Sequence, residues 1–208
     1  MDQIQKYHFY INLEKRNEKN IHCINELKKI GITKPNRFNA IENKIGLIGC
    51  AKSHIVCIEI AKENGWPFVC IFEDDISFID HKKIIENINK YLNYDFDVLY
   101  IGAWLRNNKY EIINDDLLKV DYTCCTHAYI IKNHYYDILL KNLKEGLELK
   151  IKDPDNYLYN IDEYIRKLQE RDNWLCFRPI LATQIKGYSD NFNDIIDYND
   201  RILNIPNK

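Results

Sequence analysis

The sequence contains no long run of apolar residues. None of its 208 residues lies in a stretch that approaches the roughly 18 apolar residues of a membrane-spanning helix. Its first residues, MDQIQKYHFYINLEKRNEK, lack the basic start and following apolar segment of a secretory signal. We therefore expect a cytoplasmic protein with no transmembrane segment.

An excess of basic charge is also missing. Lysine and arginine together number 29, against 31 aspartate and glutamate residues, which gives a formal net charge of -2. Because duplex nucleic-acid binders usually carry a basic face, no nucleic-acid partner is expected. The balance of 46% hydrophobic and 29% charged residues excludes a disordered, collagen-like or coiled-coil chain.

Repeats, linkers and low-complexity segments are absent from the sequence as well. The length predicts a single domain over residues 1–208, and a homo-oligomer is compatible with it. The seven cysteines are an odd number and lie mostly in apolar segments, so we interpret them as reduced, buried side chains. They are Cys23, Cys50, Cys57, Cys70, Cys124, Cys125 and Cys176.

Strand and helix patterns alternate through the first half of the chain. Apolar runs predict strands at residues 7–12, 36–40, 68–72 and 97–101, and helical periodicity predicts helices at residues 17–30, 47–63 and 82–92. This order predicts an α/β fold with a mostly parallel central sheet flanked by helices. Active sites in such folds lie beyond the carboxyl ends of the strands.

The second half of the chain is less regular. Strands are predicted at residues 118–122 and 128–131, and helices at residues 134–143 and 162–169. Residues 175–181 are strand-like, but Pro179 favours an edge or irregular strand. The longest predicted loops cover residues 106–116 and 145–160.

Three carboxylates follow the apolar strand at residues 68–72. Glu73, Asp74 and Asp75 repel one another, and burying them is costly unless a cation or a set of donors neutralises them. A divalent Mg²⁺ or Mn²⁺ ion would do so. Along an extended chain Glu73 and Asp75 point the same way and could share the ion, with Asp74 turned to a ribose or to a structural donor. The alternative interpretation is an exposed acidic turn or a helix N-cap.

Two further clusters have a structural and a chemical interpretation. Cys50, His54 and Cys57 have the spacing of a metal site on one helix face. Buried cysteines and a hydrogen-bonded core histidine are nevertheless the favoured interpretation. Ser53 and His54 could still orient a strand-end carboxylate. Residues 124–127 (CCTH) suit a cysteine hydrolase less well than a structural strand, because adjacent side chains of a strand point to opposite faces.

Asp162 stands at the start of a predicted helix. A carboxylate at that position is normally a helix cap, and it acts as a general base only if it points into the cleft. Position alone favours the cap. A phosphotransfer or hydrolytic enzyme has no support, since the sequence has neither a Gly-x-x-x-x-Gly-Lys loop nor an H-x-D cluster.

Five segments, in this order, resemble glycosyltransferase family 25, which includes bacterial lipopolysaccharide-type galactosyltransferases and collagen hydroxylysine galactosyltransferases. They are residues 10–16 (YINLEKR), 37–41 (RFNAI), 49–54 (GCAKSH), 72–75 (FEDD) and 184–190 (QIKGYSD). The resemblance covers residues 7–190. It implies a GT-A-like fold, a UDP-galactose or UDP-glucose donor, a divalent metal, usually Mn²⁺ (or Mg²⁺), and inversion at the anomeric carbon. The acceptor it implies is a hydroxyl of a lipopolysaccharide-type glycan or of a collagen-like hydroxylysine.

The resemblance also assigns roles on the donor side. It implies a nucleotide-sugar half at about residues 1–105, an acceptor half at about 106–190 and a C-terminal tail at 191–208. Asn12, Leu13 and Ala40 would shape the uridine pocket, and Arg16 and Lys19 would face the diphosphate. Lys19 stands where the family often has a second arginine. The remaining residues expected to support the donor are Ser53 and Asp74.

The metal ligands and the base follow from the same resemblance. Glu73 and Asp75 would hold the ion, and Gln184 or Asp190 would take the place of the late histidine that many GT-A enzymes use, because this chain has no histidine after His134. Asp162 would be the catalytic base. The alternative is a non-catalytic member of the fold that binds a nucleotide-sugar or a glycan.

Overall fold

The computed structural model describes residues 2–106 and 109–203. The strands are β1 (His8–Asn12), β2 (Arg37–Asn39), β3 (Phe68–Glu73), β4 (Ile76–Phe78), β5 (Val98–Leu105), β6 (Tyr110–Asn114), β7 (Leu117–Val120), β8 (Thr123–Lys132), β9 (Trp174–Phe177), β10 (Ala182–Gln184), β11 (Gly187–Ser189) and β12 (Asp194–Ile196). The α-helices are α1 (Asp2–Lys6), α2 (Asn17–Lys29), α3 (Gly46–Glu63), α4 (His81–Tyr91), α5 (Tyr136–Lys152), α6 (Ile161–Tyr164), α7 (Arg166–Arg171) and α8 (Asn199–Leu203). In the described residues no helix is long and apolar enough to span a bilayer.

An eight-stranded sheet in the order β2-β1-β3-β8-β5-β9-β7-β6 forms the centre of the fold. Six of these strands run in one direction and only β7 and β8 oppose them, which confirms an α/β fold with a mostly parallel sheet. β4 pairs with β10, and β11 pairs with β12, in two small antiparallel sheets. The carboxyl ends of β1, β3 and β5 therefore lie at the same edge.

Helices cover both faces of the sheet. On one face, α3 and α5 contribute Ile55, Ile58 and Leu139 to one apolar cluster. On the other face, α2 and α4 contribute Leu27 and Ile88 to a second cluster. The central strand β3 is apolar along its length because it is covered from both sides. All seven cysteines are free, and five of them are buried.

Helix α5 extends well into a region where the sequence predicts a loop. The predicted helix ends at residue 143, whereas α5 continues to Lys152. Gly146 is the local signal against a helix, since glycine weakens a helix interior. A Cβ at position 146 would lie 2.6 Å from a ring atom of Tyr164. The helix is therefore stabilised here by tertiary packing against Tyr164, which is possible only because glycine has no side chain.

The position of β9 also differs from the expectation. Pro179 favours an edge strand, but β9 lies between β5 and β7, in the interior of the sheet. The strand ends at Phe177, before the proline, so no ladder hydrogen bond is lost. Likewise, the predicted loop 106–116 contains β6, although residues 107 and 108 of that loop lie outside the described residues.

Gly102 in β5 allows two other segments to approach the carboxyl end of the sheet. A Cβ at this position would lie 2.2 Å from the Ala182 backbone oxygen and 2.4 Å from His127 Nε2. We expect Gly102→Ala to lower the free energy of unfolding by about 1–3 kcal/mol, because a well-packed backbone oxygen must move. Urea unfolding measures this change.

Gly187→Ala is the matched control, because no atom lies within 4 Å of a Cβ built at Gly187. Its free energy of unfolding should stay within about 0.5 kcal/mol of the wild-type value. Equal loss of stability in both variants would contradict the packing role of Gly102.

Candidate active site

A cleft of about 580 Å³ opens at the carboxyl ends of β1 and β3. Its walls come from the β1–α2 loop, the β2–α3 loop, the first turns of α3, the β3–β4 turn and the β11–β12 hairpin (residues 187–196). Of the residues singled out from the sequence, it brings together Leu13, Lys19, Ala40, Ser53, Glu73, Asp74, Asp75 and Asp190. We call this space the donor cleft, after the nucleotide-sugar donor that the family resemblance leads us to expect in it.

The three carboxylates do not follow an extended chain. β3 ends at Glu73, and Asp74 and Asp75 form the turn before β4. The expectation that Glu73 and Asp75 point the same way along a strand is therefore wrong. The turn separates Glu73, which faces α3 and β8, from the pair Asp74 and Asp75, which face α2.

Lys19 is the cation nearest to the two aspartates. Its Nζ lies 3.7 Å from Asp74 Oδ1 and 3.5 Å from Asp75 Oδ2. Burial acts to lower the pKa of Lys19, but Asp75 and Asp74 outweigh it and raise that pKa. The side chain of Asn12, buried at the end of β1, donates a 2.7 Å hydrogen bond to Asp74 Oδ2. Asp74 is thus turned to a structural donor, one of the two roles expected for it.

Asp74 is strongly perturbed in this environment. Burial, reinforced by the charge of Asp75, raises the pKa of Asp74 to about 7. Lys19 and Asn12 act in the opposite direction and do not cancel the effect. Lys19 and Asn12 therefore do not fully compensate the negative charge of this turn. Incomplete compensation of buried carboxylates favours the binding of an additional cation.

Glu73 is held from the opposite side. The Thr126 hydroxyl donates a 2.8 Å hydrogen bond to Glu73 Oε1, and His54 Nε2 lies 3.4 Å from the same oxygen. The other ring nitrogen of His54 is 2.8 Å from the Tyr129 hydroxyl. Although burial acts to raise it, His54 and Thr126 hold the pKa of Glu73 below its ordinary value. Within the described residues, Cys50, His54 and Glu73 also bring one ligand atom each within 4.8 Å of the others.

The donor set suits a hard divalent cation. Gln184, in β10, donates from Nε2 to Asp75 Oδ1 over 3.1 Å. Its carbonyl oxygen Oε1, like Oδ1 of Asn12, is buried and has no hydrogen-bond partner among the described residues. Carboxylate and amide oxygens are the ligands that Mg²⁺ and Mn²⁺ prefer. Asp75 and Gln184 therefore fit such an ion.

Asp190 is engaged elsewhere. Arg16 donates to both of its carboxylate oxygens, from Nε and from a terminal nitrogen, each over 2.9 Å. Partial burial acts against ionisation, but Arg16 holds the pKa of Asp190 below its ordinary value. The Arg16 guanidinium also lies 4.8 Å from the ring centre of Tyr188. This pair fastens the β11–β12 hairpin to the β1–α2 loop instead of directing Asp190 to the other carboxylates.

Ser53 has a structural set of partners. Its hydroxyl donates to the Gly49 carbonyl over 2.8 Å and accepts a hydrogen bond from the Ile41 amide over 2.9 Å. It thereby fixes the segment that carries Ala40 against α3. Ser53 thus shapes the donor cleft by holding its wall in place.

A second cleft of about 180 Å³ lies beside the first, and Glu73, Cys50 and Asn191 line both. Asp162 lies in this second cleft, which we call the acceptor cleft. Its Oδ2 accepts a 3.3 Å hydrogen bond from the backbone amide of Cys125, a residue with the unusual φ of 72°. Burial raises the pKa of Asp162. At the start of α6, Asp162 thus points into a cleft.

Sequence reasoning missed part of the acceptor cleft. Trp104, Arg106 and Tyr198 also line it. They come from the end of β5 and from the segment before α8, and no short motif links positions so far apart. Only the three-dimensional fold brings them next to Asp162.

Comparison with known proteins assigns the chain to a family. The model of glycosyltransferase family 25, described as LPS biosynthesis proteins, matches residues 44–164, more than half of the chain. The chain belongs to glycosyltransferase family 25. A protein of Haemophilus influenzae described as "Putative glycosyltransferase" is 43% identical over 58 residues. That match covers 28% of this chain and 20% of the relative, so the chain spans only a fifth of the relative's length.

Of two similar solved structures, the first supports the fold. A glycosyltransferase involved in glycosylation of the major capsid of PBCV-1 aligns with a TM-score of 0.50 and 9% identity, over 82% of this chain and 80% of that one. A197 from STIV aligns over 97% of this chain and 98% of its own, with 15% identity and a TM-score of 0.45. This family 25 chain therefore has a GT-A-like fold.

The Arg16–Asp190 pair should control the stability of the β11–β12 hairpin. We expect Arg16→Gln to lower the free energy of unfolding by about 1–2 kcal/mol, because it removes a charged, partly buried, two-point contact. Trypsin should cleave faster after Lys186, whose side chain is 67% exposed directly before the hairpin. Limited proteolysis followed by mass spectrometry measures the rate.

Lys144→Gln is the control, because it removes an exposed pair between Lys144 of α5 and Glu59 of α3. Its effect on stability should not exceed about 0.5 kcal/mol. Unchanged cleavage after Lys186 in Arg16→Gln would show that the pair does not hold the hairpin.

Proposed function

We propose that this chain transfers galactose or glucose from a UDP-sugar to a hydroxyl of a glycan or of a hydroxylysine, in a single displacement that inverts the anomeric carbon. The observation that carries the proposal is the junction of the two clefts at Glu73. A donor in one cleft and an acceptor in the other would meet beside a fixed carboxylate. Membership of a glycosyltransferase family supports the same reaction class.

The donor cleft supplies contacts of the expected kinds. Leu13 and Ala40 offer an apolar wall for the uracil base, and Asn12 lies buried beneath them at the end of β1. Lys19 offers a point charge for the diphosphate. The hairpin closes the opposite side through Asn191 and Asn193.

A divalent ion would be held by Asp75 and Gln184, with Glu73 as a further carboxylate ligand. The ion would supply the positive charge that neutralises the departing diphosphate. Asp190 is not part of this proposed ligand set, because Arg16 engages both of its oxygens. Lys19 already pairs with Asp74 and Asp75 and offsets part of their negative charge before any ion binds.

Asp162 is the proposed general base. As the acceptor oxygen forms a bond to the anomeric carbon, the bond to UDP breaks and the acceptor proton passes to Asp162. Burial raises the pKa of this carboxylate and makes it a stronger base. The amide of Cys125 fixes its orientation, and the unusual backbone conformation at Cys125 is a local strain of the kind found at functional sites.

A UDP-dependent change in thermal stability tests the donor site. UDP at a hundred times its dissociation constant should stabilise the protein by about 2.7 kcal/mol, a rise in Tm of roughly 5–11 °C for a chain of this size. The rise should require Mn²⁺ and should be lost in Asp75→Asn, because the ion loses its principal carboxylate. Asp155→Asn removes an exposed aspartate outside both clefts and should retain the full rise.

No rise with UDP under any divalent metal would contradict the nucleotide-sugar site. A rise that persists in Asp75→Asn would remove Asp75 from the ligand set.

Turnover of the Asp162→Asn variant tests the base. We expect kcat to fall by about 100-fold or more, since general base catalysis typically contributes that much. The KM for the UDP-sugar and the Mn²⁺-dependent thermal shift should not change, because Asp162 lies outside the donor cleft. UDP release from the UDP-sugar is the readout, and it also separates an enzyme from a protein that only binds the donor. Equal loss of turnover and donor binding would contradict the base role.

A further inference from the structure

Two arginines stack on one tryptophan at the acceptor cleft. The Arg106 guanidinium carbon lies 4.1 Å from the centre of the Trp104 ring, and that of Arg201 lies 4.9 Å from it. Trp104 is at the end of β5 and Arg106 follows that strand, whereas Arg201 belongs to α8. The side chain of Thr183 in β10 binds Asn199 over 2.9 Å and so holds α8 in place. We call Trp104, Arg106 and Arg201 the arginine rim.

The arginines of the rim interact with aromatic rings and form no close ion pair within the described residues. In residues 2–106 and 109–203, neither Arg106 nor Arg201 has a carboxylate oxygen within 4.0 Å. Arg16, Arg166 and Arg171, by contrast, each form a close ion pair.

Glu163 is the acidic group that acts on Arg106, but its oxygens already accept bonds from other side chains. Tyr122 donates to Oε2 over 2.8 Å, and the Cys124 thiol donates to Oε1 over 3.5 Å. Glu163 therefore acts on Arg106 through its charge, without a close ion pair to the arginine rim among the described residues.

Stacking prepares these guanidinium groups to bind a ligand. A guanidinium held against an indole ring loses less conformational freedom when it forms hydrogen bonds, and its planar fork matches a carboxylate or a phosphate. Arg106 also lies over Tyr122, 5.7 Å from its ring centre, and Arg201 lies 5.7 Å from that of Tyr198. Arg106 also shares a hydrogen bond with Tyr122, so the rest of its five N–H groups remain for a ligand.

The lining of the acceptor cleft carries charges of both signs, and Arg201 adds a further positive charge through its stacking on Trp104. Glu73, Asp162 and Glu163 line the cleft, and Arg106 is exposed where it lines the opening. An anionic group is repelled by the three carboxylates and attracted by the arginine rim. A saccharide with one such group would bind with that group at the rim and with a hydroxyl directed inward to Asp162.

We propose that the acceptor is an anionic saccharide, one that carries a phosphate or a carboxylate, and that Arg106 and Arg201 select it. This inference rests on the proposed transferase function, because it assigns the acceptor of that reaction. The arginine rim fixes the orientation of the acceptor, and Asp162 receives its proton.

Titration of the Trp104 indole resonance tests the proposal. The chain has three tryptophans, so Trp104→Phe assigns the signal in a ¹H–¹⁵N spectrum. The probes are methyl galactoside, its 6-phosphate and methyl galacturonide, each added to protein with Mg²⁺ in the presence and absence of UDP. The movement of the Trp104 signal gives the dissociation constant of each probe. Both anionic probes should bind at least about tenfold more tightly than the neutral sugar, since one charge-assisted bond contributes that much.

Arginine variants identify the groups that bind. Arg106→Gln and Arg201→Gln should each weaken binding of the anionic probes by about tenfold and leave the neutral sugar unchanged. Lys28→Gln removes one positive charge from an exposed position on α2, outside both clefts, and should leave all three affinities unchanged.

Three outcomes would overturn the proposal. They are equal affinity for neutral and anionic sugars, no movement of the Trp104 signal with any sugar, and binding of inorganic phosphate as tight as that of the sugar phosphate. The last would identify a simple anion site. Failure of the proposed function is recognised separately, because it would remove the Mn²⁺-dependent UDP shift without affecting this titration in the absence of UDP.

Discussion

Mutual repulsion among three carboxylates at the end of one apolar strand determines how this site is built. Glu73, Asp74 and Asp75 leave β3 where the sheet stops providing cover, and burial of like charges is costly unless donors surround them. The donors come from separate parts of the chain. Lys19 in α2 and Gln184 in β10 reach this turn, as do three side chains from β1, β8 and α3. The acidic turn therefore requires these elements to converge.

Glu73 also connects the two clefts, because it lines both of them. His54 and Thr126 hold it from α3 and β8, two separate elements of the fold. His54 is fully buried and is itself fixed by Tyr129. A carboxylate held in this way is pre-organised, so its position does not depend on the arrival of either ligand. The two clefts thus share one rigid wall, which a reaction between two bound molecules requires.

The predictable part of this site is the part encoded locally. Five apolar residues followed by three acidic ones are enough to predict both β3 and a charged site at its end, because burial and repulsion act on neighbours in the chain. At Asp74 the sequence leaves both an extended chain and an acidic turn open, because both conformations accommodate the same residues, and the structure has the turn. The presence of Pro179 led to the prediction of an edge or irregular strand, which is wrong because β9 ends two residues before the proline. The arginine rim joins residues from β5 and α8, and no local pattern records that contact.

The C-terminal segment shows why local patterns fail there. β11 and β12 have only three residues each, too few to be stable as an isolated hairpin. Their position depends on distant partners. Arg16 binds the Asp190 carboxylate. Gly46 allows the Asp190 backbone to approach closely, since a Cβ at position 46 would lie 2.3 Å from the Asp190 backbone oxygen. This segment nevertheless supplies Asn191 to both clefts and leads into the helix that carries Arg201. Residues 189–198 therefore contribute a wall to both clefts, and the position of that wall depends on contacts with the preceding core.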